Sequence, residues 1–161
     1  MSLPVGYGWA KASSEERSVL LEFVSLTYQE LCPDGFAEGL GWQMIDQYCS
    51  EQTPRWWVVP EDELAFNPVA GLWLGNALDP IEGDRFAQIF LLYVRPEHRQ
   101  KGLGSALMQE AQAWAMARGD RQIGLQVFAN NQTALSLYHK FGYHTHSLLM
   151  VKPLRSFIAR E

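Results

Sequence analysis

At 161 residues, 47% of them hydrophobic and 19% charged, with a formal net charge of −5, the chain has the size and apolar content of one domain with a real core, read here over residues 1–161. No apolar run approaches the roughly 18 residues of a membrane helix, no signal-peptide pattern stands at Met1, and the acidic balance argues against general nucleic-acid binding. Cys32 and Cys49, the only two cysteines, fit a reducing cytoplasm better than a disulfide framework.

In chain order, Val5 to Lys11 reads as a short first strand. Ser13 with Glu16 forms a capping box ahead of an amphipathic run through Leu31, which Pro33-Asp34-Gly35 ends. Phe36 to Tyr48 is a shorter helix that carries Gly39 and Gly41. Arg55 to Val59, Val69 to Leu74 and Phe86 to Val94 are strands, the last two joined around Asp79-Pro80 and Glu82-Gly83. The tandem Trp56-Trp57 sends one ring to each face of its strand. Helix follows from Gly102 to Arg118, with Leu103, Ala106, Leu107, Trp114 and Ala117 on one stripe and Gly119 as its stop. Ile123 to Phe128 is a strand, Asn131 to Phe141 a helix and Tyr143 to Lys152 a last strand. His144 and His146 share a face of that strand, but two imidazoles with no companion ligand do not make a metal site.

The segment from Val94 to Leu107 carries the chemistry. A strand runs into four basic or potentially basic side chains, Arg95, His98, Arg99 and Lys101, then Gly102 and Gly104, then a helix N-terminus. Amides in the first helical turn have no partner inside the helix, and the dipole places partial positive charge there. Glycine lets a ligand reach the backbone without meeting a Cβ. A dinucleotide fingerprint would need a third glycine where Leu107 stands, and a Walker loop would need its lysine after the glycines, whereas Lys101 precedes them. The charge run alone would be an ordinary solvated surface; beside the two glycines it points to a phosphorylated cofactor.

A second motif lies downstream: Leu125-Gln-Val-Phe-Ala-Asn-Asn-Gln-Thr-Ala-Leu-Ser-Leu-Tyr-His-Lys-Phe-Gly-Tyr143. Together with Arg99-x-x-Gly102-x-Gly104, it resembles the signature of the GNAT superfamily of N-acetyltransferases. Asn131, Ala134, Tyr138, Phe141 and Gly142 stand where that family has them, and the joint match covers residues 86–143. The resemblance implies an α/β fold with a mixed, mostly antiparallel central sheet, splayed at the acyl-CoA site and flanked by helices. It implies acetyl-CoA (coenzyme A) as co-substrate. The amides of Gln100, Lys101, Gly102, Leu103, Gly104 and Ser105 would hold the pyrophosphate, with Arg99 and Lys101 adding charge. The pantetheine arm would pair with the strand edge at Leu92, Tyr93 and Val94, and the freed Leu92 N–H would polarise the thioester carbonyl. Asn131, Ala134 and Tyr138 complete the implied binding set. Periodicity by itself reads Ala134, Leu137, Tyr138 and Phe141 as a helix's buried stripe. The resemblance instead gives the Tyr138 hydroxyl the task of protonating the departing sulfur.

One position departs from the pattern. Gln88 stands where histone-acetylating members carry a glutamate base, and an amide cannot accept the proton. An alkylammonium, with a pKa near 10.4, must lose a proton before it attacks; Glu38, Asp46, Glu82 and Asp84 are the carboxylates considered for that task, with water as the other route. The acceptor site is expected from residues 28–48 and the hairpin at 79–84, where Phe36, Trp42 and Tyr48 lie near Asp34, Glu38 and Asp46. Aromatics beside carboxylates suit a cationic amine. The expected acceptor is a primary amine of a small molecule. Acetylation of a protein N-terminus or lysine, and a non-catalytic acyl-CoA-binding domain, are the alternatives. A homodimer through the last strand is implied by family habit.

Overall fold

Strand-forming runs rich in Val, Leu and Trp assemble into one sheet of order β1-β2-β3-β4-β5. The computed structural model describes residues 2–10, 15–35, 37, 39–63 and 65–154. The strands are β1 (Tyr7–Trp9), β2 (Arg55–Pro60), β3 (Ala70–Leu78), β4 (Arg85–Val94) and β5 (Ile123–Leu125). The helices are α1 (Glu16–Leu31), α2 (Leu40–Tyr48), α3 (Leu103–Ala117) and α4 (Gln132–Lys140). β1 to β4 pair antiparallel, and β5 joins β4 in parallel. A parallel neighbour needs a crossover, and α3 provides it.

Alternation along the strands feeds two cores. Val58, Leu72, Leu74 and Ile89 pack with Leu103, Leu107, Met108 and Ala111 of α3. On the opposite face Trp57, Trp73, Leu91 and Tyr93 pack with Leu20, Phe23 and Val24 of α1 and Ile45 of α2. The tandem tryptophans divide as expected: Trp56 lies edge-on to Trp114, its ring centroid 6.4 Å away, while Trp57 meets Phe23 at 5.7 Å. The buried line of α3 is Leu103, Leu107, Ala111 and Ala115. Ala117, expected on that stripe, is exposed, because the helix turns its last residue away from the sheet.

The register along β3 and β4 slips once. Trp73 opposes Leu91 but Leu74 opposes Ile89, so Phe90 is an inserted residue, a β-bulge. Phe90 and Leu91 therefore both turn to the α1/α2 side, while Ile89 and Leu92 face α3. Gly75 makes room for the bulge: a Cβ there would sit 2.0 Å from the Phe90 ring. Gly75→Ala is expected to lower stability by about 1–3 kcal/mol, the range for overpacking a filled core, read as a lower urea midpoint at unchanged slope.

Four expectations change, three at the ends of elements and one over a whole segment. The helix expected from Phe36 begins at Leu40, after Gly39 with φ +82°; Phe36 and Glu38 lie outside the described residues. α1 starts behind Glu15 without a side-chain cap, and the capping-box Ser13 lies outside the described residues, as does Lys11. The expected strand 123–128 stops at Leu125, and residues 143–152 form no strand. Apolar, strand-prone side chains do not suffice without an edge to pair with. Once the chain leaves the sheet after Leu125, none of β5 extends alongside the last segment, and Leu148, Leu149, Met150 and Val151 stand exposed. No helix among the described residues is long and apolar enough to cross a membrane.

Candidate active site

The site grows from the C-terminal half of β4. β5 pairs only with Ala87, Gln88 and Ile89, so beyond the bulge the β5-side edge of β4 has no strand in register. The Arg95 N–H donates to Val69 O at 2.8 Å on the β3 side. Since peptide groups alternate along a strand, the N–H and C=O of Leu92 and Val94 point to the open edge. The Val94 carbonyl accepts a bond from Arg99 Nε at 2.9 Å. Tyr93, expected with its neighbours at this edge, contributes its side chain to the other face, where it is buried.

Beyond Val94 the chain makes one 3₁₀ turn, Pro96–His98, then reverses into α3. Gln100 takes φ +60° and Gly102 φ +88°; the first is a left-handed conformation that a side-chain-bearing residue adopts at some cost. No side chain caps α3, so the amides of Gly102, Leu103, Gly104 and Ser105 form the four-donor N-terminus that suits an anion. Gly104 has a second task. A Cβ there would lie 3.2 Å from Leu137 Cδ2, so its absence lets α4 lean over the start of α3.

The four basic side chains divide. Arg95 donates to Glu22 at 2.8 Å and to Pro68 O at 3.1 Å. His98 Nδ1 lies 2.8 Å from the Tyr7 hydroxyl. Arg99 grips both oxygens of Glu30, at 2.8 and 2.7 Å. Arg99, expected to add charge to a phosphate, is thus committed to α1, and Lys101 is the exposed cation of the turn. Arg95, His98 and Arg99 thus tie the turn to the rest of the fold.

α4 brings the second motif alongside. Asn131 is its N-cap, and its Oδ1 accepts from the Ala134 N–H at 3.2 Å. Asn131→Ala should cost about 1 kcal/mol of stability, measured by thermal unfolding. Leu137, Tyr138 and Phe141 pack on the same core as Leu92 and Val94, which puts Tyr138 and the open edge of β4 against one cluster. Burial raises the Tyr138 hydroxyl above its ordinary pKa, so it carries its proton at neutral pH. The Tyr143 ring lies 5.9 Å away, with a buried hydroxyl that has no hydrogen-bond partner among the described residues.

On the other face, side chains of α1, α2, the β4 bulge and the chain after β5 come together. The Tyr28 hydroxyl donates to Met44 Sδ at 3.5 Å, and its ring meets Phe128 at 6.2 Å. One turn along α2, Tyr48 stacks on the bulge residue Phe90 at 5.2 Å. Asn130 Nδ2 donates to Leu31 O at 3.4 Å. Trp42 is half-exposed, with the Arg17 guanidinium 5.4 Å above its ring. Of the carboxylates nominated as bases, Glu38 lies outside the described residues, and Asp46, Glu82 and Asp84 are not gathered here. Asp46 pairs with Arg17 and Asp84 with Arg121, while Glu82 sits in the β3–β4 turn, at the end of β4 away from the glycines. Asp34 is exposed in the loop after α1. Glu30 is the carboxylate that reading the sequence missed; 69 positions separate it from Arg99, and no local pattern reports such a contact.

Against known proteins, the model of the Acetyltransferase (GNAT) family matches residues 21–143. The chain belongs to that family. This GNAT protein is 34% identical over 82 residues to the uncharacterized N-acetyltransferase YdgE of Bacillus subtilis (strain 168), covering 51% of this chain and 52% of that one. It thus spans about half the length of curated relatives such as this one. Among solved structures, it resembles the ribosomal-protein-alanine N-acetyltransferase of Brucella melitensis biovar Abortus 2308, with TM-score 0.66, 17% identity and coverage of 92% and 99% of the two chains. It also resembles the aminoglycoside antibiotic 6'-N-acetyltransferase AAC(6')-Ih of Acinetobacter baumannii, with TM-score 0.67, 18% identity and coverage of 94% and 100%. At such identities the likeness shows the fold alone. GNAT proteins generally use acetyl-CoA, and the residues present fit it: an uncapped helix start beside Lys101 for the pyrophosphate, and, at Leu92, a strand edge that no described strand pairs with, for an amide-bearing arm.

Proposed function

We propose that this chain is an acetyl-CoA-dependent N-acetyltransferase whose acceptor is a primary amine of a small molecule. The observation that supports it most is the adjacency of the open β4 edge and the uncapped, glycine-bearing turn, with Tyr138 packed on the same cluster. Acetyl-CoA brings the activated acetyl group as a thioester. The amides of Gln100 to Ser105 and the Lys101 ammonium hold its pyrophosphate, while the open edge of β4 at Leu92 and Val94 orients the arm, with Tyr93 between them packed on the opposite face. The Leu92 N–H donates to the carbonyl oxygen as negative charge develops there, a donor fixed before the reaction begins. The neutral amine attacks, the C–N bond forms and the C–S bond breaks; the Tyr138 hydroxyl donates its proton to the sulfur. Since Gln88 cannot take it, the proton that the attacking nitrogen loses leaves through water, and water returns one to the Tyr138 phenolate, so that the net products are the amide and the free thiol.

The aromatic side chains grouped there, Tyr28, Tyr48, Phe90 and Phe128, suit the body of a small cationic acceptor. An acceptor in the reducing cytoplasm accords with the unpaired thiols of Cys32 and Cys49, and self-association through the exposed apolar run from Leu148 to Val151 is the assembly we assign. The test is release of coenzyme A thiol with a panel of primary amines and with peptides. Amine-dependent release supports the reading. Release with peptides alone makes the acceptor a protein, and binding without release makes the domain a non-catalytic acyl-CoA binder.

A further inference from the structure

Glu30 sits where three elements meet, near the C-terminal end of α1. Its Oε1 accepts from the Tyr93 hydroxyl at 2.8 Å, and its two oxygens accept from Arg99 Nη2 at 2.8 and 2.7 Å. Arg99 in turn donates from Nε to Val94 O at 2.9 Å, and its guanidinium lies 5.6 Å over the Tyr93 ring. The carboxylate is therefore bound to the last buried residue of β4 and, through one arginine, to the carbonyl from which the turn departs. The next residue along is Gln100, held at φ +60°, and the glycines follow. A left-handed residue persists where its surroundings over-determine it, and the clasp on Arg99 fixes the residue immediately before it.

We propose that Glu30 is a positioning residue for the acyl-CoA turn: acting through Arg99, it ties α1 to the turn and holds the amides of residues 100–105 in the ligand-binding arrangement. This rests on the acetyl-CoA reading above. Both members of the pair are more than a third exposed, so its net worth to global stability is small, but a charge-assisted contact to both carboxylate oxygens still fixes geometry. A turn that must be ordered by the ligand binds it more weakly than one ordered beforehand.

The experiment is calorimetric titration with acetyl-CoA of the full chain and of Glu30→Gln, Arg99→Gln, the double variant and Arg17→Gln. The last removes an α1 ion pair that does not reach the turn. Glu30→Gln and Arg99→Gln are each expected to raise Kd about fivefold, the double variant no further than the weaker single, since residues acting in one network do not add. Arg17→Gln should stay within about twofold. In turnover assays the KM for acetyl-CoA follows the Kd while kcat at saturation holds, and the unfolding midpoint moves by no more than a few degrees. A merely structural Glu30 would lower the midpoint and leave Kd unchanged, and that result, or the product of the two single effects in the double variant, overturns the proposal. Failure of the unaltered chain to bind acetyl-CoA would instead overturn the cofactor reading beneath it.

Discussion

Gly104→Glu is expected to abolish measurable acetyl-CoA binding, a loss of at least about a hundredfold, while the protein still folds. Two effects act together at this position. The carboxylate would stand over the uncapped N-terminus of α3 and satisfy the amides that the pyrophosphate needs, and like charges would then oppose each other at the mouth of the turn. The new Cβ would also lie 3.2 Å from Leu137 Cδ2, so that side chain, one residue before Tyr138, must give by a few tenths of an ångström. Gly104→Ala separates the two effects: it keeps the contact with Leu137 but adds no charge, and its loss of affinity should be much the smaller. Both are read by calorimetric titration, with circular dichroism to show that the helices remain.

Tyr138→Phe is expected to lower kcat by about a hundredfold, the lower end of what a positioned proton donor contributes, with acetyl-CoA affinity within about twofold of the unaltered protein. The substitution removes an oxygen and leaves the ring that packs beside Leu137 and Phe141, so the fold has little to lose. Its pH behaviour follows from burial, which raises the hydroxyl's pKa above its ordinary value of 10.0. A donor with a raised pKa stays protonated across the neutral range and is lost only in strong alkali. The rate should therefore climb from pH 6 to pH 9 as the acceptor amine deprotonates, with no descending limb from Tyr138 in that interval. An unchanged kcat in the phenylalanine variant would remove Tyr138 from the chemistry.

Much of this architecture is written locally. The glycine turn, the strand leading into it and the helix after it follow from residue order and from where Gly102 and Gly104 stand. The split of Trp56 and Trp57 follows from strand alternation. The bulge at Phe90 is different, because an inserted residue shows only once β3 supplies the partner register, and Gly75, which makes room for it, lies opposite Gln88 in another strand. Arg99 shows the same limit from the side of charge. Its spacing from the glycines marks it as part of the motif, but the partner that decides what its guanidinium does is Glu30, in contact with it from α1 yet far away in sequence. The last segment fails for the converse reason. Tyr143 to Lys152 has strand-like composition, yet composition cannot create the paired edge that would make it a strand.

The most direct measurement is the initial rate of thiol release from acetyl-CoA with and without primary amines, at fixed protein and saturating acetyl-CoA. The account predicts release that saturates with at least one small amine, yields the matching N-acetyl product by mass spectrometry and falls about a hundredfold in Tyr138→Phe. Release no faster than the amine-free background across the amines and peptides tested, from protein that binds acetyl-CoA, would contradict it.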